Sequence, residues 1–582
     1  MGVKLAETAG FCMGVRRAVD RVLDAARRDR GPIYTYGPLI HNPQTVELLK
    51  KRGIMPVGSI AEIPAGAETT LVIRAHGISP TERQQIKARG VRIIDATCPK
   101  VGRVQAIIKK YAARGYGIVI VGDAGHPEVT GLLGYAAGRG VVVGTEEEAA
   151  RIPYTERLGI VAQTTQDTTT YDDIINVIKG KMPQALVFNT ICDSTGKRQT
   201  EIKELAAQMD AIVIVGGSNS ANTRRLVELA EHQGKPTFYI ETAEELKNHS
   251  WGDYAGIGVS AGASTPNWII DRVVNDITGF QAQGGGKSRP LFNFWLFLIR
   301  TDIYSALGAG SIYLAATLLQ GNDAQGVNFG IASLYVFAMH ILNRFTDHKI
   351  NVIGSVREES YQKHESRYIF MALGALLTAL VLALTQGAKP FLFLLLLSLA
   401  GVLYNAPLLP NRWRFHSLKE IPGSKNVSMA LAWAMVTSVL PAISAGNALE
   451  SAIFVAFAFA FAFVMVFIRS VFFDILDMQN DRLMGWETIP VVIGRLASLR
   501  LLRFLWVLLV VLLAVAFPVG WATSVSWALI ICPFYLLICS KLYDRRAALS
   551  LSGMELWGLL ETNYIIAGVV GMLWLACVRA AA

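Results

Sequence analysis

The chain has 582 residues, too many for one ordinary domain, and 52% of them are hydrophobic. A formal net charge of +10 invites a nucleic-acid partner, but the lysines and arginines of the second half fall on alternate connections between long apolar runs. That is the positive-inside pattern of a membrane protein, and it sets nucleic acid aside as a partner.

Up to about residue 285, short apolar runs bounded by glycine ("TLVIRAHG", "GIVIVGD", "RLGIVAQTT", "AIVIVGGSNSAN", "GIGVSAGAST") alternate with helical patterns such as "NTRRLVELAEHQG". Near-continuous apolar strands alternating with helices predict an α/β domain whose parallel sheets are covered on both faces, with more than one sheet. Ligands of such folds collect at the carboxyl ends of strands, beside helix N-termini that favour anions. The expected strand exits carry His41, His76, His126 with Glu128, Thr164, Ser220 with Asn222, and Ser264. Taken singly, each is ordinarily a turn residue or an N-cap; together they point to a convergent anion site. Cys12, Cys98 and Cys192 each stand at a turn before a helix, where a thiolate is stabilised. Their spacing matches no local metal motif, so three unrelated buried cysteines stays an open alternative at this point. An odd number of cysteines in a segment with no export-type N-terminus argues against a disulfide framework.

"GFCMGVRRAVD", "GPLIHNPQ", "IRAHGIS", "DATCPKV", "GHPEV", "QTT", "GGSNSANTRRL" and "SAGAST", in that order from residue 3 to about 280, resemble the 4-hydroxy-3-methylbut-2-enyl diphosphate reductases of the methylerythritol phosphate route. The resemblance implies three α/β lobes around a 4Fe–4S cluster held by Cys12, Cys98 and Cys192, with one iron open to substrate. It implies a diphosphate gripped by His41, His76, His126, Thr164, Ser220, Asn222 and Ser264, and Glu128 as proton donor. An electron donor such as ferredoxin or flavodoxin is implied as well. Ser220-Ala221-Asn222 departs from a common two-serine form of that stretch.

"QAQGGGKSRP" (281–290) has linker composition, so the expected domains are 1–282 and 291–582, joined by 283–290. Beyond it, apolar segments near 297–319, 328–343, 368–386, 390–406, 427–446, 449–473, 500–521, 525–540 and 557–578 predict an all-α domain of about nine transmembrane helices. The basic connections, counted with Arg469 among them, put the first half in the cytoplasm of a multi-pass cell (inner) membrane protein. "NRFTDHKIN" sets Asn343, Asp347 and Asn351 on one helix face, and "DILDMQNDRLMG" does the same for Asp474, Asp477 and Asp481. Carboxylates near a membrane core should line a cavity with a cation, and Mg²⁺ with phosphate oxygens suits them.

These two stretches, with "YNAPLLP" and "IPGSKN", resemble the UbiA superfamily of intramembrane prenyltransferases over about 295–580. The resemblance implies Mg²⁺-assisted loss of diphosphate from a prenyl diphosphate, followed by attack of a lipophilic acceptor. Asn343 and Asp347 would hold one Mg²⁺ and Asp474, Asp477 and Asp481 another, with Lys349, Lys419, Lys425 and Arg482 steadying the diphosphate. Asn351 replaces a common aspartate, and Leu408 stands where a lysine is often found. The expected whole is a bifunctional isoprenoid enzyme. Its alternatives are a reductase with a non-catalytic anchor, or with an ion-coupled transporter.

Overall fold

The computed structural model describes residues 2–29, 31–283, 290–346, 364–406, 417–446, 451–484, 486–544 and 553–581. The chain divides into two compact units, Met1–Lys287 and Ser288–Ala582.

The first unit holds three parallel four-stranded sheets. Their strands are β1 (Val3–Leu5), β2 (Ile33–Tyr36), β3 (Ile54–Val57), β4 (Thr70–Ile73), β5 (Arg92–Asp95), β6 (Gly117–Val121), β7 (Gly140–Val143), β8 (Leu158–Ala162), β9 (Leu186–Phe188), β10 (Ala211–Val215), β11 (Thr237–Ile240) and β12 (Ile257–Ala261). The orders β3-β2-β4-β5, β7-β6-β8-β9 and β11-β10-β12-β1 are one pattern repeated, in which the first strand formed lies between the second and third. The last lobe borrows its fourth strand from the N-terminus, since β1 pairs with β12 in register Val3 to Ile257. Apolar runs dominate because helices cover both faces: all five residues of β8, β10 and β12 are buried.

Ten helices of the first unit follow these strands. They are α1 (Met13–Arg28), α2 (Pro43–Lys51), α3 (Pro80–Ala88), α4 (Pro99–Ala112), α5 (Pro127–Leu133), α6 (Glu146–Ala150), α7 (Thr168–Lys181), α8 (Asp193–Gln208), α9 (Ala221–Glu231) and α10 (Asn267–Gln283). Proline opens α2, α3, α4 and α5, where its missing N–H is no loss and its fixed φ suits the helix.

The second unit has helices and no strand among its described residues: α11 (Pro290–Arg300), α12 (Ile303–Leu319), α13 (Gly326–Thr346), α14 (Glu365–Thr385), α15 (Ala388–Asn405), α16 (Ser424–Ala445), α17 (Ala452–Met484), α18 (Ile489–Ile493), α19 (Arg495–Ala516), α20 (Val525–Tyr543) and α21 (Gly553–Ala581). Among the described residues, eight helices are long and apolar enough to cross a membrane, and the pair α11–α12 makes a ninth if counted as one span. The segment expected as a continuous span over 297–319 is in fact broken by 84° between α11 and α12. Asp302 makes the break: it sits at φ 59°, is 1% exposed, and meets Arg344 Nε at 3.1 Å.

α17 has 33 residues, about 50 Å of helix against a hydrocarbon layer of about 30 Å. Its first turns therefore fill the apolar layer, and its last turns, which hold the aspartates, reach the layer's edge.

Candidate functional site

The repeated strand order makes each lobe reverse direction between its first and third strands, and ligands bind where an open sheet does this. His41 follows β2 and His76 follows β4; His126 and Glu128 follow β6 and Thr164 follows β8; Ser220 and Asn222 follow β10 and Ser264 follows β12. Each reversal thus contributes a pair of exits. The cysteines follow the fourth strands, Cys12 after β1, Cys98 after β5 and Cys192 after β9. All these residues line one cavity.

Cys12, Cys98 and Cys192 are the N-caps of α1, α4 and α8, so three helix N-termini face the sulfurs. The backbone N–H of Val15 donates to Cys12 Sγ at 3.4 Å. Burial pushes the Cys98 thiol up, against the pull of the Lys100 and Val101 N–H groups. Gly14 explains how closely the sulfurs gather: a Cβ there would lie 2.5 Å from Cys98 Sγ and 3.9 Å from Cys12 Sγ. Three convergent thiols with a cleared backbone between them fit an iron–sulfur cluster. Beside them, Arg198 is 3% exposed and donates to the Ala261 and Gly10 carbonyls. The sequence reading missed it; an arginine one turn inside a helix that starts at a cysteine was the available signal.

The imidazoles of His41, His76 and His126 pack with ring centroids 4.6, 5.8 and 5.5 Å apart. One nitrogen from each lies within 4.8 Å of the others, a spacing a metal would also accept. Burial first, and then the positive charges of Arg74 and Arg224, depress His41. Burial also lowers His76 well below its ordinary value and His126 to about 4. All three are therefore neutral near pH 7. His126 Nδ1 accepts from the Glu128 N–H at 3.1 Å, which leaves the proton on Nε2, free to donate. His41 Nε2, His76 Nδ1 and Asn222 Nδ2 are buried without a hydrogen-bond partner. Buried polar atoms normally have partners, so these are vacant hands for a ligand.

The hydroxyls are less free than expected. Thr164 donates its N–H and Oγ1 to the two Glu128 oxygens at 2.7 and 2.9 Å. Ser264 Oγ donates to the His41 carbonyl at 2.9 Å, and Ser220 Oγ caps Thr223 N–H at 3.3 Å. Thr164 thus holds the acid, while the serines keep their acceptor or remaining donor capacity for the ligand. Burial drives Glu128 up to about 7, outweighing both bonds from Thr164. A carboxyl that is half protonated at neutral pH is suited to give a proton.

In the second unit, Asp474 and Asp481 are buried on one face of α17, with Asp477 partly exposed between them. Asn426 of α16 donates to Asp474 Oδ2 at 2.8 Å and to Ser470 Oγ at 3.0 Å, and Thr488 Oγ1 donates to Asp481 Oδ2 at 3.0 Å. Lys425 is exposed and lies over Trp486 at 5.5 Å, close enough to act on Asp474 and Asp481. Lys419 and Arg482 are partly exposed nearby in sequence, and Asn343 is exposed near the end of α13. Asp347, Lys349 and Asn351 lie outside the described residues, as does Leu408. Arg469, expected on a basic connection, is instead inside α17 and 4% exposed, paired with Glu561 of α21. An uncompensated guanidinium cannot be buried in an apolar bundle, so the carboxylate follows it.

The first half is therefore a three-lobed α/β unit with one cavity lined by thiols, imidazoles and a carboxyl, and the second a polytopic helical domain with a carboxylate face on one helix. Residues 3–278 match the LytB protein family, and residues 304–558 match the UbiA prenyltransferase family. The 4-hydroxy-3-methylbut-2-enyl diphosphate reductase of Geobacter sulfurreducens is 42% identical over 286 residues, 49% of this chain and 100% of that protein. The reductase of Aquifex aeolicus is 42% identical over 276 residues, 47% of this chain and 94% of that protein. A solved reductase structure from Plasmodium falciparum is 28% identical with a TM-score of 0.47, covering 48% of this chain and 89% of that one. The chain belongs to the LytB family of 4-hydroxy-3-methylbut-2-enyl diphosphate reductases, and it carries a UbiA prenyltransferase family domain behind the reductase.

Proposed function

We propose that residues 1–282 reductively remove the hydroxyl of 4-hydroxy-3-methylbut-2-enyl diphosphate, giving isopentenyl and dimethylallyl diphosphate and water. The linker 283–290 joins them to a prenyltransferase, 291–582. The observation that carries the first activity is the single cavity shared by three cysteines, the imidazole trio and a carboxyl poised near neutrality. Cys12, Cys98 and Cys192 would hold a 4Fe–4S cluster, which supplies electrons one at a time from a donor such as ferredoxin or flavodoxin. His126 Nε2–H, the vacant atoms of His41, His76 and Asn222, and the hydroxyls of Ser220 and Ser264 bind the diphosphate. Thr164 orients Glu128, which delivers its proton to the departing hydroxyl oxygen. Replacing Glu128 by Gln tests this: diphosphate binding persists while reduction falls, and unchanged reduction refutes the role.

In the second half, Asp474, Asp477 and Asp481, with Asn343 and Asp347, would bind Mg²⁺ and through it a prenyl diphosphate; Lys349, Lys419, Lys425 and Arg482 would take the leaving diphosphate. A lipophilic acceptor then captures the allylic carbon. The buried Asp474–Asn426 bond supports a built site over a passive anchor or a transporter. Basic residues on alternate connections favour an inner-membrane protein with its reductase half in the cytoplasm. Fusion would raise the local concentration of C5 diphosphates; equal product yields from fused and separately expressed halves would remove that advantage.

A further inference from the structure

A second polar cluster lies in the helical unit, deeper than the aspartates and without an assigned role. Three helices fix its depth by the rise per residue. Arg469 is five residues before Asp474, His340 three before Asn343, and Trp433 seven after Asn426, or about 7.5, 4.5 and 10 Å further along their helices. Trp433 links these levels, lying 5.6 Å from His340, 5.4 Å from Tyr564 and 5.8 Å from the Arg469 guanidinium. Arg469 and Ser305 both donate to Glu561 Oε1. Glu561 Oε2 and the Tyr564 hydroxyl are buried and have no hydrogen-bond partner, and both residues are 1% exposed.

We propose that Glu561 is the proton acceptor for an uncharged, hydroxyl-bearing prenyl acceptor, which binds in this cluster with its O–H on Glu561 Oε2. The inference rests on the transferase reading of the helical unit. A diphosphate bound through Mg²⁺ at Asp474, Asp477 and Asp481 would have its allylic C1 one bond beyond the bridging oxygen, and the Arg469 level lies about 7.5 Å away along the same helix. The step balances: the C1–O bond to diphosphate breaks with its electron pair leaving on the diphosphate. The acceptor oxygen forms a bond to C1, and its proton passes to Glu561 Oε2. Arg469 and Ser305 are positioning residues that hold Oε1 and aim Oε2.

Charge selects the substrate class. Arg469 is matched by Glu561, and Arg344 by Asp302, which also approaches His340 at 3.7 Å. A carboxylate-bearing acceptor would meet two cations already neutralised and a facing carboxylate, a pairing that a desolvated site penalises. A phenol or alcohol instead supplies the donor that Oε2 lacks, with Trp433 and Tyr564 offering aromatic contact.

The test uses membranes containing the full chain, Mg²⁺, a radiolabelled prenyl diphosphate, and three acceptors: a long-chain phenol, a long-chain alcohol, and the same phenol bearing a carboxylate. Label extracted with the product and Mg²⁺-dependent retention of donor are read separately. The wild type should label the phenol or the alcohol at least about 10-fold over the carboxylate form. Glu561→Gln should cut transfer about 100-fold while donor retention stays within about twofold. Transfer unchanged by Glu561→Gln, or preference for the carboxylate acceptor, overturns the proposal alone. Absence of label from the wild type with every acceptor overturns the transferase reading and this proposal with it. If Glu561→Gln also loses donor retention, Ser305→Ala decides, since it keeps the charge pair: reduced transfer with donor retained supports the role, and unchanged transfer overturns it.

Discussion

In the first half, the polar side chains of the site stand where strands end and helices begin; in the second, they stand on the faces of continuous helices. The difference follows from the two solvents. In a covered α/β sheet, backbone N–H groups at helix starts are already free to bind an anion, so imidazoles, a carboxyl and thiols gather there. In a bilayer, helices must satisfy their own backbone, so polar chemistry has to come from side chains spaced three, four or seven residues apart. The first site is assembled from nine strand exits between Cys12 and Ser264. The second is assembled from a few turns of a few helices.

The sharpest break between the halves is expected from Cys98→Ser, which should abolish iron incorporation and lower reduction by more than about 1,000-fold while leaving prenyl transfer unchanged. Iron analysis and both assays on one membrane preparation read this. Glu128→Gln should lower reduction about 1,000-fold with iron content and diphosphate binding retained, because only the proton is lost. In the other half, Asp477→Ala should cut label transfer about 100-fold and leave reduction intact. Gly14→Ala should reduce iron content and destabilise the first half by about 1–3 kcal/mol, since its Cβ meets Cys98 Sγ; iron analysis and thermal unfolding test it.

The smallest effect is on pH. Glu128 keeps its proton up to about 7 in the folded chain, against an ordinary value of 4.5. Its contribution to stability is whole below 4.5 and declines as pH rises through 7. Relative to the parent, Glu128→Gln should therefore gain stability as pH rises from 4.5 to 7, by up to about 3 kcal/mol, read as a growing Tm difference. The histidines act in the opposite sense. With folded values below 6.5, they are neutral when folded and protonated when unfolded, so they weaken the fold as pH falls below 6.5 toward 4. Flat Tm differences across both ranges would contradict these assignments.

Much of the first site could be read from residue type and position, because His76, two residues after "LVIR", and His126, five after "IVIV", mark strand exits. What could not be read was that the N-terminal strand completes the sheet of the last lobe. Pairing of β1 with β12 joins residues more than 250 apart, and no local pattern encodes it. Nor did "QTT" reveal that Thr164 serves Glu128 before any ligand, since that bond needs the fold. In the second half, the spacing of Asp474, Asp477 and Asp481 was visible, but the bond from Asn426, the last residue of "IPGSKN", to Asp474 was not, since it joins residues 48 apart on two helices. Asp302 lay inside an apolar run and was absorbed into a span. Arg469 and Glu561 each stand alone in apolar segments; a rule that every intramembrane charge needs a named partner would have paired them.

The central claim, two working active sites in one chain, is tested most directly in anaerobically prepared membranes holding the protein, Mg²⁺, a host lipid extract and radiolabelled prenyl diphosphates of several lengths. Label should enter the organic phase with a preferred chain length, vanish in Asp477→Ala and survive in Glu128→Gln. An absence of label at every chain length, in a preparation whose reductase is active, would contradict it and leave the helical half as an anchor.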